Sequence, residues 1–294
     1  MIVITTPTGL IGQQVLTHLL KSDKSIRVIV RDPSRLPDDV RERVEVIQGS
    51  HGDFDVVSRA FAGADSVLWI VPPDPRAENA EAAYVGFSRP ASRAFQEQGV
   101  KRVVGISAFG RGSAAARNAG YMTASLAMDD LIASTGVNYR ALAMPPFIEN
   151  MLRHVDSIKN QGMFAFPMSG DIRQPVCASR DIATAATRLL LDHSWSGVES
   201  HPLLGAEDLS FNDMAQIMSE VLGKPVRFQR LPLEPLKARL QQSGMSEGML
   251  QDYLAMWDAY EHGLATSTPR TPEATTATSF RQWCEEVLKP AVLT

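Results

Sequence analysis

The first thirty-one residues constrain the fold more than any other stretch of the chain. Ile2 to Ile4 form a short apolar, β-branched run, the pattern of a strand buried on both faces of a parallel sheet. The turn Thr6-Pro7-Thr8-Gly9-Leu10-Ile11-Gly12 follows directly. Beyond it Ile11, Val15 and Leu19 recur every fourth residue, with Gly12, Leu16 and Leu20 beside them, which is one apolar stripe on a helix. A second apolar strand, Ile26 to Val30, closes a βαβ unit of the size a right-handed parallel crossover needs. A glycine-bearing turn between such a strand and helix gathers backbone N–H groups and the positive helix end at one spot. That spot binds an anion, most often the pyrophosphate of a dinucleotide.

The spacing reads as a GxxGxxG variant with Thr6 in the first glycine position. Gly9 would let a pyrophosphate approach the backbone, and Gly12 would let the helix sit close to the sheet. If the turn requires φ > 0 at Thr6, its β-branched side chain is strained there. Thr6, Thr8, Gly9, Leu10, Ile11 and Gly12 are therefore the expected phosphate-side contacts. Arg31 stands nineteen residues after Gly12, at the end of the second strand. An acidic residue there would accept the 2′-OH of NAD, whereas an arginine offers a charged fork to the 2′-phosphate of NADP. Asp32 is adjacent, and only one of the two can face the ribose. Arg31 makes NADP(H) the expected cofactor. The ends of later strands, at Val71-Pro72 and at Pro145 to Phe147, lie where α/β sheets place ligands.

Composition excludes several classes. The chain is 44% hydrophobic and 21% charged with a net charge of −4, ordinary for a globular protein and without a basic patch for nucleic acid. The longest apolar runs are strand-length, short of a membrane span. The two cysteines, Cys177 and Cys284, lie far apart without metal-ligand spacing, and no histidine pair suggests a metal. A core strand at the very start argues against a signal peptide, and with the thiols it suggests a reducing, cytoplasmic setting.

Further strands are expected over 44–47, 66–71, 103–107 and 137–143, alternating with helices over 54–62, about 84–98 and 121–134. This alternation predicts a doubly wound parallel sheet of Rossmann type over residues 1–145. From Met144 the pattern changes, and 146–294 reads as a smaller, partly interwoven α+β domain that covers the cofactor, with some segments returning to the sheet. Helices are expected over 147–158, 179–191 and 209–222, the last with Ser210 and Asp213 as a capping box and Gly223 after it. A strand over 226–231, helical segments over 233–263 and a final helix over 280–288 complete the reading. Asp181 would cap its helix, a loop residue such as His51 would be solvated, and His154 would sit on a helix surface or face the cleft.

At this point the chain resembles the NmrA-like branch of the atypical short-chain dehydrogenases/reductases. The resemblance is carried in order by TPTGLIG, VIVRDPSR, AFAGADSVLWIVPP, GVKRVVGISAFG, LIASTGVNYRALAMPPFIENML, SRDIATAATRLLLD and LSFNDMAQIMSEVLGKPV. It implies an NAD(P)-binding Rossmann domain, with Ser50 near the adenine in place of a frequent aspartate. It also implies a catalytic pair: Ser107 at the end of the fifth strand and Tyr121 in the tyrosine position of Tyr-x-x-x-Lys. The lysine position is Ser125, Asp129 fits an acidic position one turn on, and Ala143-Met144 replaces a common Arg-Pro.

The lysine would lower the tyrosine pKa and hold the nicotinamide ribose. Without it Tyr121 is a poor acid for alcohol/ketone interconversion. Hydride transfer to a conjugated acceptor asks less, because the substrate stabilises its own developing anion. The expected function is therefore an NAD(P)H-dependent oxidoreductase acting on a small organic acceptor such as a quinone, enone or imine. A non-catalytic NAD(P)-sensing regulator that binds a partner protein, and a cofactor-independent isomerase or cyclase, are the alternatives on the same fold.

Overall fold

Seven strands form one parallel sheet in the order β3-β2-β1-β4-β5-β6-β9, in a computed structural model that describes residues 1–294. The strands are β1 (Ile2–Thr5), β2 (Ile26–Val30), β3 (Glu45–Gln48), β4 (Ser66–Trp69), β5 (Arg102–Ala108), β6 (Asn138–Met144) and β9 (Val198–Pro202). β1 is central: Ile2 pairs with Ile26 on one side and Ser66 on the other. Its side chains alternate between the two faces as the pleat requires. Ile2 and Ile4 enter the core beneath α1 (Leu10–Leu19) and α7 (Ser179–Leu191), while Val3 enters the opposite one. That second core is closed by α3 (Phe54–Phe61), α4 (Phe87–Glu97) and α5 (Tyr121–Ala133). Helices on both faces make the doubly wound Rossmann arrangement, with its topological switch point between β1 and β4. A short α2 (Asp38–Arg41) precedes β3.

The seventh strand, β9, has no counterpart in the sequence reading. It is an edge strand of sequence VESHP, half solvated, so it lacks the continuous apolar run of a buried strand. With α7 it brings two segments from beyond residue 145 back onto the sheet. The rest of 146–294 packs in a further core that also takes in Phe109, Ala116, Ala119 and Ala143. There β7 (Met163–Phe166) pairs in parallel with β11 (Arg227–Arg230), and β8 (Gln174–Pro175) pairs antiparallel with β10 (Asp208–Leu209). Around them pack α6 (Val155–Gln161), α8 (Phe211–Leu222), α9 (Leu233–Gln242), α10 (Glu247–Glu261), α11 (Phe280–Trp283) and α12 (Lys289–Leu293). The Ser210–Asp213 capping box of α8 forms in both directions, and Gly223 ends the helix in the left-handed region. No helix is long and apolar enough to cross a membrane.

Two local expectations change. His51 is buried, not solvated: its Nε2 lies 3.0 Å from the Ile70 carbonyl, and its ring meets Trp69 and Phe87 edge-on. Burial pushes it down to about 4, so it is a neutral packing element. Asp181 does not cap α7; it accepts hydrogen bonds from the Thr278 amide (3.0 Å) and hydroxyl (2.8 Å), anchoring the loop before α11. Glu149 takes the capping role, accepting from the Ser179 amide (3.0 Å) and hydroxyl (2.7 Å). The carboxylate comes from a distant segment, so local spacing could not reveal it.

The β1–α1 turn carries the strain anticipated from its sequence. Thr6 has φ +50° and is the one non-glycine residue with positive φ. This bend tucks its carbonyl under the helix start, where it accepts the Gly9 amide at 3.0 Å. A Cβ at Gly12 would lie 2.1 Å from that carbonyl oxygen. Gly12→Val is therefore expected to lower the melting temperature with or without cofactor, by an overpacking penalty of about 1–3 kcal/mol or more. Thr6→Gly is expected to raise it by a few degrees, because it releases a left-handed β-branched residue. Thermal denaturation of both variants without ligand checks the pair, and equal melting of Gly12→Val and parent would remove the close-approach argument.

Candidate functional site: a dinucleotide cleft at the C-terminal edge of the sheet

The first bond along α1 from its cap runs from the Gln13 amide to the Gly9 carbonyl at 3.0 Å, so the amides of Leu10, Ile11 and Gly12 are free to meet an anion, while the Gly9 amide is held by the Thr6 carbonyl. Gly9 has ordinary extended dihedrals, and a Cβ there would only touch the Thr6 carbonyl at 3.4 Å. Packing therefore does not demand glycine at position 9; a close-approaching ligand would. Thr6 Oγ1 is buried without a hydrogen-bond partner, an unmet polar group at the same turn. An orphan hydroxyl, free amides and an unneeded glycine fit the pyrophosphate of a dinucleotide. Ile11 and Gly12 are buried and can contribute only through backbone, whereas Leu10 exposes its side chain beside the turn. Thr8 is partly exposed there.

Thr5 was not singled out from sequence, yet it holds the switch point. Its hydroxyl donates to the Leu68 carbonyl and accepts from the Ile70 amide, both at 2.9 Å, joining β1 to β4 where the ladder ends. Val71, next in line, is buried and Pro72 is exposed.

At the end of β2 Arg31 is exposed, and its guanidinium makes no ion pair or hydrogen bond. Asp32 is committed elsewhere. Its Oδ1 accepts from the Ser34 amide at 3.0 Å and the Ser34 hydroxyl at 2.7 Å, and these bonds hold its carboxyl below the usual range. Ser50 turns its hydroxyl to the Gly52 amide at 3.2 Å.

The far end is organised around a buried carboxylate. Ser107 donates from Oγ to Asp129 Oδ2 at 2.5 Å, Tyr139 donates to Oδ1 at 2.6 Å, and Arg111 Nη2 reaches Oδ2 at 3.1 Å. Burial pushes the Asp129 carboxyl up, opposed by its bonds from Ser107, Tyr139 and Arg111. Ser125 Oγ, in the lysine position, lies 3.5 Å from Ser107 Oγ. Tyr121 opens α5 and is half-buried between Tyr84 and Tyr253, at centroid distances of 6.4 and 6.1 Å. Burial, then Tyr253 and Asp252, pushes its hydroxyl up to about 12. Ser107 and Tyr121 share no hydrogen bond; Ser107 belongs to the Asp129 cluster and Tyr121 to an aromatic one.

After β6, Pro145 is buried and Phe147 half-buried. Phe147 bridges Cys177: the Ile148 amide meets the Cys177 carbonyl at 3.1 Å, and the Cys177 amide meets the Pro146 carbonyl at 3.2 Å. Gln14 Nε2 on α1 reaches Ser179 Oγ at 2.9 Å, which ties this wall of the cleft to the phosphate turn through Glu149. His154 is half-buried, 4.9 Å from Phe166, and burial lowers its pKa. In the helical segment over 233–263, Met249 is fully buried and Met245 and Met256 partly so. Cys177 and Cys284 are buried free thiols, and no cluster of side chains could hold a metal ion.

Comparison with known proteins finds NAD(P)H-dependent reductases. The (4-alkanoyl-5-oxo-2,5-dihydrofuran-3-yl)methyl phosphate reductase of Streptomyces griseus is 26% identical over 97% of this chain and 97% of its own length. Quinone oxidoreductase 2 of Escherichia coli is 25% identical over 87% and 86%. The crystal structure of Citrobacter sp. triphenylmethane reductase complexed with NADP(H) superposes with a TM-score of 0.77 at 22% identity, covering 99% of this chain and 100% of that one. The NAD(P)-binding Rossmann fold that the motif resemblance implies is borne out: the crystal structure of NmrA in complex with NADP superposes with a TM-score of 0.67 at 13% identity, covering 98% of this chain and 95% of that one. A family model described as NAD(P)H-binding matches residues 7–192. Since that span runs from the phosphate turn through α7, the chain belongs to the NAD(P)H-binding family.

Proposed function

We propose that the protein is an NADPH-dependent oxidoreductase that reduces a small conjugated organic acceptor, a quinone, enone or imine. One observation carries the reading. An α1 N-terminus prepared for pyrophosphate shares its sheet edge with a β2 end where Arg31 is unpaired and Asp32 is spent on Ser34. Thr6, Thr8, Gly9 and the amides of Leu10, Ile11 and Gly12 would hold the pyrophosphate. Arg31 would hold the 2′-phosphate, Ser50 would border the adenine, and Val71, Pro72, Pro145 and Phe147 would flank the nicotinamide. The bound cofactor supplies hydride; the chain orients the acceptor and excludes water. Tyr121, pushed up to about 12 with no lysine beside it, is a weak acid. That suits acceptors whose developing charge spreads over a conjugated system. The two relatives named above, one a quinone oxidoreductase and one a reductase of an unsaturated furanone phosphate, support this class. The cytoplasm is the proposed setting, since both thiols are free and buried.

The direct test is NADPH binding by fluorescence titration followed by NADPH oxidation with a panel of quinones. Binding with steady oxidation is expected. Binding without oxidation of any acceptor would leave a dinucleotide-sensing regulator, and no binding at all would leave a cofactor-independent enzyme.

Two variants probe the cofactor assignment separately. Arg31→Ala is expected to weaken NADPH roughly ten- to a hundredfold, the size of a charge-assisted contact, with little change for NADH. Equal losses in the two titrations would remove the NADP preference. Gly9→Val is expected to keep the melting temperature of the ligand-free protein, because a Cβ there meets only the Thr6 carbonyl at 3.4 Å. It should lose the thermal shift that NADPH gives. An undiminished shift would place the phosphates elsewhere.

A further inference from the structure

We propose that Asp129 fixes the Ser107 hydroxyl as a hydrogen-bond acceptor, so that the acceptor this cleft reduces best is a planar protonated imine whose N–H⁺ donates to Ser107. The inference rests on the reductase reading above and narrows its substrate class.

The direction of the hydrogen bonds carries it. Every group that reaches Asp129 arrives as a donor: Ser107 from β5 at 2.5 Å, Tyr139 from β6 at 2.6 Å and Arg111 from the loop before α5 at 3.1 Å. Arginine can only donate. Tyr139 is buried and has no hydrogen-bond partner other than Asp129 for its hydroxyl. Asp130, the neighbouring carboxylate, is exposed and faces Arg111 at 2.7 Å, not Asp129. Ser107 has a single hydrogen, and it is spent inward. What remains on Ser107 Oγ is lone-pair density, and the one hydroxyl near it, Ser125 at 3.5 Å, can only feed the same inward chain.

Ser107 stands at the C-terminal end of β5, the edge on which a doubly wound sheet receives its ligand. A quinone or enone carbonyl brought there sets one acceptor against another and goes unpaired, which costs affinity. A protonated imine brings a charged donor and gains a charge-assisted bond. The Tyr121 hydroxyl has no partner on the protein and can serve either ligand, so selection falls on Ser107. The half-buried rings of Tyr84, Tyr121 and Tyr253, with centroids 6.4 and 6.1 Å apart, give a bound cation aromatic neighbours.

The chemistry balances without a proton donor on the protein. Hydride addition forms a C–H bond at the imine carbon. The C=N π pair returns to nitrogen as a lone pair, and the nitrogen keeps its proton. The positive charge is cancelled and a neutral amine leaves. A site with a weakly acidic Tyr121 and an inward-turned Ser107 loses nothing in such a reaction.

The test uses three bicyclic probes of similar size: dihydroisoquinoline at mildly acid pH, where it is protonated; N-methyldihydroisoquinolinium, a cation without the N–H; and naphthoquinone, a neutral acceptor. NADPH oxidation gives kcat/KM for each in the parent, Ser107→Ala and Asp129→Asn. Tryptophan fluorescence quenching gives the affinity of protonated dihydroisoquinoline for the cofactor-free protein. The parent should prefer dihydroisoquinoline over both other probes by about tenfold or more. In Ser107→Ala, which removes only a hydroxyl, the imine-to-quinone ratio should fall by about tenfold and the fluorescence Kd should rise with it. Asp129→Asn should lower the same ratio if it folds. The parent's preference for dihydroisoquinoline should also decline along the protonation curve of the imine as pH rises. Faster reduction of naphthoquinone than of either cation would overturn the inference while leaving the reductase reading intact, as would an unchanged ratio in Ser107→Ala. A protein that keeps its NADPH-induced thermal shift but reduces none of the three would overturn both.

Discussion

The whole arrangement depends on one close backbone approach, the Thr6 carbonyl beneath Gly12. A side chain at position 12 would put a carbon 2.1 Å from that oxygen. Only glycine lets α1 begin directly over the end of β1, and only that placement points the free amides of the helix start at the switch point of the sheet. The left-handed bend at Thr6 is the counterpart of this approach. It costs about 1–3 kcal/mol in a β-branched residue, so the surrounding packing must over-determine it. Thr5 contributes by joining β1 to β4 through its hydroxyl, and the buried Ile2, Val3 and Ile4 hold the strand from both faces. Strain, an unmet Thr6 hydroxyl and a dispensable glycine at position 9 coincide at the turn where an anion would relieve them.

The opposite end of the cleft is governed by a different constraint, the desolvation of Asp129. A carboxylate this deeply buried must be satisfied on both oxygens. The chain satisfies it with Ser107, Tyr139 and Arg111, drawn from two strands and a loop. The price is that these hydroxyls are no longer free to act outward. Separately, burial beside Tyr253 and Asp252 raises Tyr121 to about 12 and leaves it a weak acid. A reductase built this way relies on orientation and on the electronic character of its acceptor.

The covering lobe shows how far position depends on long-range contacts. α10 sits directly on the start of α5, where a Cβ at Gly120 would lie 1.8 Å from the Asp252 carbonyl. Asp252 also accepts the Ala80 amide at 2.7 Å, and the Ser246 amide reaches the Pro75 carbonyl at 2.9 Å. Tyr253 is thereby held against Tyr121, although the two are far apart in sequence. On the other wall, Gln14, Ser179 and Glu149 join α1, α7 and the segment after β6. Helices and caps supplied by distant segments, not by neighbouring residues, define both sides of the cleft.

Periodicity and turn chemistry alone determined six strands of the sheet, the helices α1, α3, α4 and α5 between them, the glycine-bearing β1–α1 turn with its strained Thr6, and the capping box of α8. Each depends on residues within one or two turns of each other, where burial and backbone geometry are local. Only the tertiary structure decided that VESHP forms a seventh strand, because an edge strand needs no apolar signature. It alone showed that Asp32 is occupied by Ser34 while Arg31 is free, a choice between neighbours that composition cannot make. It alone turned His51 inward, gave the cap of α7 to Glu149 and the loop before α11 to Asp181. And it placed Ser107, Ser125, Asp129 and Tyr139 in one buried cluster, because the direction of a hydroxyl is set by whatever buried charge the fold brings beside it.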